Sequence, residues 1–168
     1  MLYFDIINTP IGDLLLLASD KGLKKILFED QLKPFEISST WEQSTEKLSE
    51  AKEQLLAYFN NQLIQFELQL DPDGTVFQKQ IWKELEEIPF GETKSYQDIA
   101  NSIEKPNACR AIGMANSKNP IPIIIPCHRV IGKNGKLTGY AGGLDIKAKL
   151  LQIEGIDLGN DSQQFELF

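Results

Sequence analysis

The chain has 168 residues, of which 42% are hydrophobic and 24% charged, a composition that excludes wholesale disorder. Its formal net charge of −7 argues against indiscriminate nucleic-acid binding. Two Cys and one His exclude a disulfide framework and leave a classical structural zinc site short of ligands unless carboxylates complete it.

The opening third reads as strands. Tyr3–Ile7, Asp13–Ala18 and Leu23–Phe28 are apolar and β-prone, punctuated by Pro10-Ile11-Gly12 and Asp20-Lys21-Gly22. They predict a three-stranded meander. Ser39 or Thr40 is expected to cap a helix running to about Asn60, with Leu48, Leu55, Leu56 and Phe59 on one side. Phe66, Leu68 and Leu70 alternate with polar residues and predict one more strand. Nothing in this part suggests chemistry.

Asp71-Pro72-Asp73-Gly74 is a turn cluster and the expected subdomain boundary. Beyond it, Thr75 and Gln78 have capping-box spacing, Phe77, Ile81, Trp82, Leu85 and Ile88 follow at helical spacing, and Pro89 stops the run. Gly91 to Lys94 reads as a loop. Ser95 and Asp98 repeat the capping pattern and open a short helix to about Ser102. Lys105-Pro106-Asn107 is a break, and Ala108 to Ser117 reads as a helix of small residues. A short helix, a tight turn and a second helix able to approach closely are helix-turn-helix organisation, which many non-DNA proteins share. The charge is uneven in a compatible way: residues 1–75 are net −7, residues 76–155 net +3 and residues 156–168 net −3.

Asn119 to Arg129 contains Pro120, Pro122 and Pro126, which exclude a regular helix and predict an extended segment buried by its isoleucines. Asn134-Gly135 between short β-prone flanks predicts a hairpin, which after a helix-turn-helix would be a wing. Asp145 is expected to cap a last helix to about Glu154, closed by Gly155. Residues 156–168 read as a polar, loose tail, with Phe165 and Phe168 able to dock. The longest apolar runs, Leu14–Ala18 and Ile121–Pro126, are too short to span a bilayer. No basic region precedes an apolar stretch, so a secretory signal is not expected, and the expected compartment is the reducing cytoplasm.

The chemistry concentrates at Pro126-Cys127-His128-Arg129-Val130. Thiolate is the reactive form of cysteine, and a neighbouring imidazole promotes it. A buried structural cysteine beside a satisfied histidine fits the same spacing. In an extended segment the two side chains point to opposite sides, so a proton would pass between them through a water. A third group should orient the imidazole, and Glu154 is a candidate, although a solvated helix-end carboxylate would look the same.

At these residues the chain resembles the O6-alkylguanine-DNA alkyltransferases, also called methylated-DNA–protein-cysteine methyltransferases. The resemblance extends to Gly91-Glu92-Thr93-Lys94-Ser95-Tyr96, Arg110-Ala111-Ile112-Gly113, Asn119-Pro120, Tyr140-Ala141-Gly142-Gly143-Leu144 and Glu154, in order and spacing across residues 75–155. It implies an α+β chain: a ribonuclease-H-like α/β subdomain over 1–74, a mostly helical winged helix-turn-helix domain over 75–155, and the tail over 156–168. It implies repair of double-stranded DNA by irreversible transfer of an alkyl group, chiefly methyl, from O6-alkylguanine to Cys127, with O4-alkylthymine as a further substrate. The chain would act as a monomer, once per molecule, with no cofactor and no metal.

The roles implied are specific. Cys127 accepts the alkyl group, His128 is the base acting through a water, and Glu154 polarises it. Tyr96 donates a proton toward the guanine ring nitrogen and crowds the DNA phosphate. Arg110 fills the gap left by the flipped base, with Ser95, Ala111 and Gly113 also at the DNA. Asn119 ties the turn between recognition helix and active-site strand. The carbonyls of Cys127 and Val130 accept from the guanine amino group, Tyr140, the Ala141 amide and Gly142 line the pocket, and Arg129 pairs within the core. Some relatives carry Ser where this chain has Ala141, which removes only a side-chain contact. Cys109 reads as a small core residue. Two other readings stay open: a non-catalytic module that recognises alkylated guanine, and a Cys-His hydrolase, for which there is no separate oxyanion motif.

Overall fold

The computed structural model describes residues 1–158, and the docking expected of Phe165 and Phe168 falls outside them. The chain divides into two compact units, Met1–Asp73 and Gly74–Phe168.

The first unit is built on the predicted meander. Strands β1 (Leu2–Thr9), β2 (Gly12–Ser19) and β3 (Gly22–Phe28) pair antiparallel in sequence order. Leu14, Leu15, Leu16 and Leu17 of the central strand are all buried, so both sheet faces are covered. On one face Leu15 and Leu17 pack with Phe4 against Leu2, Phe35 and Trp41. The helix expected from residue 40 is shorter. Trp41–Gln43 forms a fourth strand, β4, parallel to β1, and helix α1 spans only Ser49–Phe59. Trp41 reaches the Phe4 cluster as part of a strand, and that burial outweighs the capping signal at Ser39 and Thr40. The strand expected over Phe66–Leu70 reduces to a single parallel bridge, Leu23 to Leu70.

The second unit begins with helix α2 (Val76–Glu86), whose Thr75–Gln78 capping box forms as predicted. Strand β5 (Lys94–Ser95) leads into helix α3 (Tyr96–Ser102), capped by Ser95 and Asp98, and helix α4 spans Cys109–Ser117. α4 packs on both α2 and α3, and the Trp82 indole donates to the Ala115 carbonyl at 2.9 Å. A 3-10 turn at Cys127–Arg129 runs into strand β6 (Val130–Ile131), and helix α5 spans Leu144–Ile153.

Three local expectations are corrected here. The segment before Cys127 is compact and not extended: Ile125 N–H donates to the Ile121 carbonyl at 2.9 Å, and Ile123 has φ +74°. The wing has no strand ladder; Gly132 N–H closes onto the Lys136 carbonyl at 2.8 Å around the Asn134-Gly135 turn. Gly143, not Asp145, occupies the N-cap of α5, with Asp145 in its first turn. Gly155 follows the helix at φ +77°, the left-handed conformation that suits glycine there. Ile156 and Leu158 pack against Leu137, Ala148 and Leu151. No helix among the described residues is long and apolar enough to cross a membrane.

Candidate active site

The two-residue strands β5 and β6 place the site. They pair in parallel, Lys94 with Val130 and Ser95 with Ile131, which brings the start of α3 beside the Cys127 turn. Sequence reasoning left Gly91–Lys94 as a loop because a strand this short carries no periodic signal. Tyr96 is the first residue after β5, and its hydroxyl lies 2.7 Å from Thr138 Oγ1. Burial raises the Tyr96 pKa, so the phenol keeps its proton.

Asn119 spans the turn after α4. Its side-chain amide donates to the Ile125 carbonyl at 2.8 Å, while its oxygen accepts from Ile121 N–H at 3.0 Å. Cys127 follows, buried at 6% exposure, with its own N–H bound to the Ile125 carbonyl at 2.8 Å. Burial pushes the thiol up to about 11, against the pull of the Asn119 side chain, the Lys147 charge and Tyr140. At three residues per 3-10 turn, Cys127 and His128 diverge by about 120°. The side chains therefore still do not lie side by side, although the backbone is not extended.

His128 is fully buried, and its Nε2 lies 2.5 Å from Glu154 Oε2. Burial lowers the imidazole pKa, outweighing Glu154, so the ring is neutral at pH 7. A carboxylate only accepts, so the single ring proton sits on Nε2, and Nδ1 is left as the basic nitrogen. Nδ1 is buried and has no protein hydrogen-bond partner.

Glu154 does more than orient His128. Arg129 donates to it from Nε at 2.8 Å and Nη2 at 3.2 Å, and the Gly91 N–H donates at 3.1 Å. The remaining Arg129 nitrogen, Nη1, donates to the Ile88 carbonyl at 2.6 Å. Gly91 has φ +82°, and a Cβ there would stand 3.3 Å from the Glu154 carbonyl oxygen, so a side chain is disfavoured twice.

The other expected residues lie on α4, at the start of α3, in β6 and just before α5. Arg110 and Ala111 are exposed on α4, and Gly113 faces the Tyr96 ring, where a Cβ would make ordinary contact at 3.8 Å. Ser95 Oγ accepts from Asp98 N–H at 3.0 Å as the α3 cap. Val130 is buried, Tyr140 and Gly142 are partly buried, and Ala141 is exposed. The Cys127 carbonyl already accepts from Val130 N–H, and the Val130 carbonyl from Lys147 Nζ at 2.7 Å, leaving each a second lone pair. Cys109 is partly exposed and its sulfur donates to Gln97 Oε1 at 3.3 Å, so it is not a core residue.

Sequence reasoning missed Thr138 and Lys147. Thr138 carried no signal. Lys147 carried one: with Leu150, Leu151 and Glu154 it falls on one helical face, and that face is buried.

Two family models match the chain. The DNA-binding domain of 6-O-methylguanine DNA methyltransferase matches residues 76–156, and its ribonuclease-like domain matches residues 2–72. A Methylated-DNA--protein-cysteine methyltransferase of Methanosarcina barkeri is 56% identical over 153 residues, covering 91% of this chain and 97% of the relative. A crystal structure of Mycobacterium tuberculosis O6-methylguanine methyltransferase superposes with a TM-score of 0.83 at 46% identity, covering 92% of this chain and 93% of that one. A second Mycobacterium tuberculosis structure, of OGT in complex with DNA, superposes with a TM-score of 0.82 at 45% identity, covering 90% and 92%.

Proposed function

The chain belongs to the 6-O-methylguanine DNA methyltransferase family, and we propose on that footing that it repairs double-stranded DNA by direct reversal, moving an alkyl group from O6-alkylguanine to Cys127. The observation that carries the reading is the relay behind the thiol: a buried neutral imidazole, its proton held on Nε2 by Glu154, in the residue after a buried cysteine.

A methyl carbon on O6 is out of reach inside a duplex, so the base must be extruded. Arg110, exposed on α4, is long enough to occupy the space it leaves, while Ala111 and Gly113 let the helix approach and Ser95, the cap of α3, is a further contact. The thiol proton passes through a water to His128 Nδ1. The Cys127 sulfur then attacks the methyl carbon, and the carbon–O6 bond breaks with its electron pair leaving on the purine. Tyr96 delivers a proton to the purine ring nitrogen, so guanine departs neutral. Its phenol keeps that proton because it is half-buried. The Cys127 and Val130 carbonyls hold the guanine amino group through their second lone pairs, and Tyr140, Ala141 and Gly142 frame the O6 edge. Asn119 keeps the turn in register.

The product at Cys127 is a thioether without a good leaving group, so each molecule acts once. Methyl is the chief group transferred, O4-alkylthymine a further substrate, and the protein a cytoplasmic monomer that needs no cofactor. The test is intact mass after incubation with a duplex carrying one O6-methylguanine. The expected result is a gain of one methylene unit on the Cys127 peptide, absent in Cys127→Ser. Binding without any gain would make the protein a recognition module, and neither binding nor gain would overturn the reading.

A further inference from the structure

Lys147 is fully buried, yet it has no part in the relay. A buried ammonium is costly, and a methionine would fill the same volume without that cost. Its contacts point to what the charge does. Nζ donates to the Val130 carbonyl at 2.7 Å and to the Thr138 carbonyl at 3.0 Å. Val130 belongs to the strand that follows the acceptor turn, and Thr138 is the residue whose hydroxyl meets the Tyr96 phenol at 2.7 Å. One cation therefore joins the strand behind Cys127 to the segment that anchors the proton donor.

We propose that Lys147 is a positioning residue for the transfer: its ammonium fixes the Val130 carbonyl and the Thr138–Tyr96 contact relative to each other, and presents a buried positive charge to the Cys127 sulfur as it becomes a thiolate. This rests on the function proposed above for what the pocket holds, but the thiolate part does not.

The electrostatics agree. Burial draws the Lys147 pKa down to about 8, and the attraction of Cys127 works against that fall. Lys147 in turn pulls the Cys127 thiol down and disfavours protonation of His128. Tyr96, Tyr140, Arg129 and Glu154 are the other titratable or charged groups acting on this cysteine and histidine. Arg129 and Glu154 are bound to each other at 2.8 Å, while Lys147 makes no ion pair with a carboxylate among the described residues. Below about pH 8 the ammonium is charged, and with a neutral residue at 147 a smaller fraction of the thiol would ionise there.

The test uses Lys147→Met and Lys147→Arg in the full chain. Iodoacetamide alkylation is followed on the Cys127 peptide at pH 7, where Lys147 is charged, without DNA, beside single-turnover transfer from a methylated duplex and duplex affinity. Lys147→Met is expected to slow alkylation about tenfold or more and to slow transfer at least about tenfold, with affinity unchanged. Lys147→Arg keeps the charge and changes the reach, so its alkylation rate should stay near the wild type while transfer slows. A merely structural lysine would lower stability and leave the alkylation rate in place. An unchanged alkylation rate in a folded Lys147→Met overturns the inference. Should that variant fail to fold, a Lys147→Arg alkylation rate about tenfold below the wild type overturns it instead. Wild-type protein that alkylates normally but transfers nothing refutes the proposed function and leaves the charge role standing on its own measurement.

Discussion

Replacing Glu154 by Gln removes one charge and changes almost no volume, so its effect isolates the buried ionic cluster. The carboxylate is fully withdrawn from solvent and accepts from Arg129 Nε at 2.8 Å, Arg129 Nη2 at 3.2 Å, His128 Nε2 at 2.5 Å and Gly91 N–H at 3.1 Å. Every partner is a donor. The Gln amide would turn two N–H groups toward donors and leave Arg129 without its counterion. Breaking a buried pair from one side costs about 3–5 kcal/mol. Arg129 keeps the Ile88 carbonyl at 2.6 Å and the Phe90 ring at 5.9 Å, so the low end, about 3 kcal/mol, is expected. With a urea slope of about 1.5 kcal/mol per molar, the midpoint falls by roughly 2 M. The chain has two tryptophans, Trp41 and Trp82, so a Trp41→Phe background lets Trp82 fluorescence report this unit. The double variant Arg129→Met with Glu154→Gln removes the orphaned charge and should recover part of the loss. A Glu154→Gln loss below about 1 kcal/mol, or a double variant no better than the sum of the singles, would refute the account of Glu154 as the counterion of Arg129.

Acid should act through His128. The unfolded imidazole takes a proton near 6.5 and the buried one resists it, so below that pH the unfolded chain binds more protons and stability is lost as pH falls. Urea midpoints measured from pH 8 to 5 should decline below pH 6.5, and His128→Gln should flatten the decline; an equal decline in the variant would assign it elsewhere. Arg110→Ala should slow transfer from duplex roughly 10–100-fold while sparing transfer from the free base, because only the duplex needs base extrusion; equal losses on both would remove Arg110 from that step. Thr75→Ala removes the capping-box oxygen of α2 and should cost about 1 kcal/mol in thermal or urea unfolding without touching thiol alkylation by iodoacetamide. A change in alkylation there would mean that α2 bears on the site directly.

Much of the fold was legible because its signals are local. The three opening strands are bounded by turn residues that act within four positions, and both capping boxes are closed by residues three apart. The errors share a cause, which is tertiary context. Trp41–Gln43 is a strand only because β1 offers an edge to it, and Gly143 displaced Asp145 because the chain enters α5 from a left-handed turn. At the site, Cys127, His128 and Glu154 were picked out by residue type and spacing, and Tyr96, Arg110 and Asn119 by the family resemblance. What stayed hidden was how often each group is used. Nothing in the order of residues says that Glu154 also binds Gly91, that the Val130 carbonyl is shared with Lys147, or that Tyr96 is met by Thr138. Those are facts of packing, and only the buried helical stripe of α5 hinted at one of them.

The cluster around Glu154 also sets an order in time. Translation delivers Cys127, His128 and Arg129 before Glu154, so until residue 154 is in place the imidazole tautomer is unset and the Arg129 guanidinium lacks its carboxylate. A chain cut before residue 154 keeps the sulfur and loses both the fixed ring proton and the link to Gly91. Under the proposed function, a reagent that reacts only once is completed only when α5 has closed on the turn that holds its sulfur.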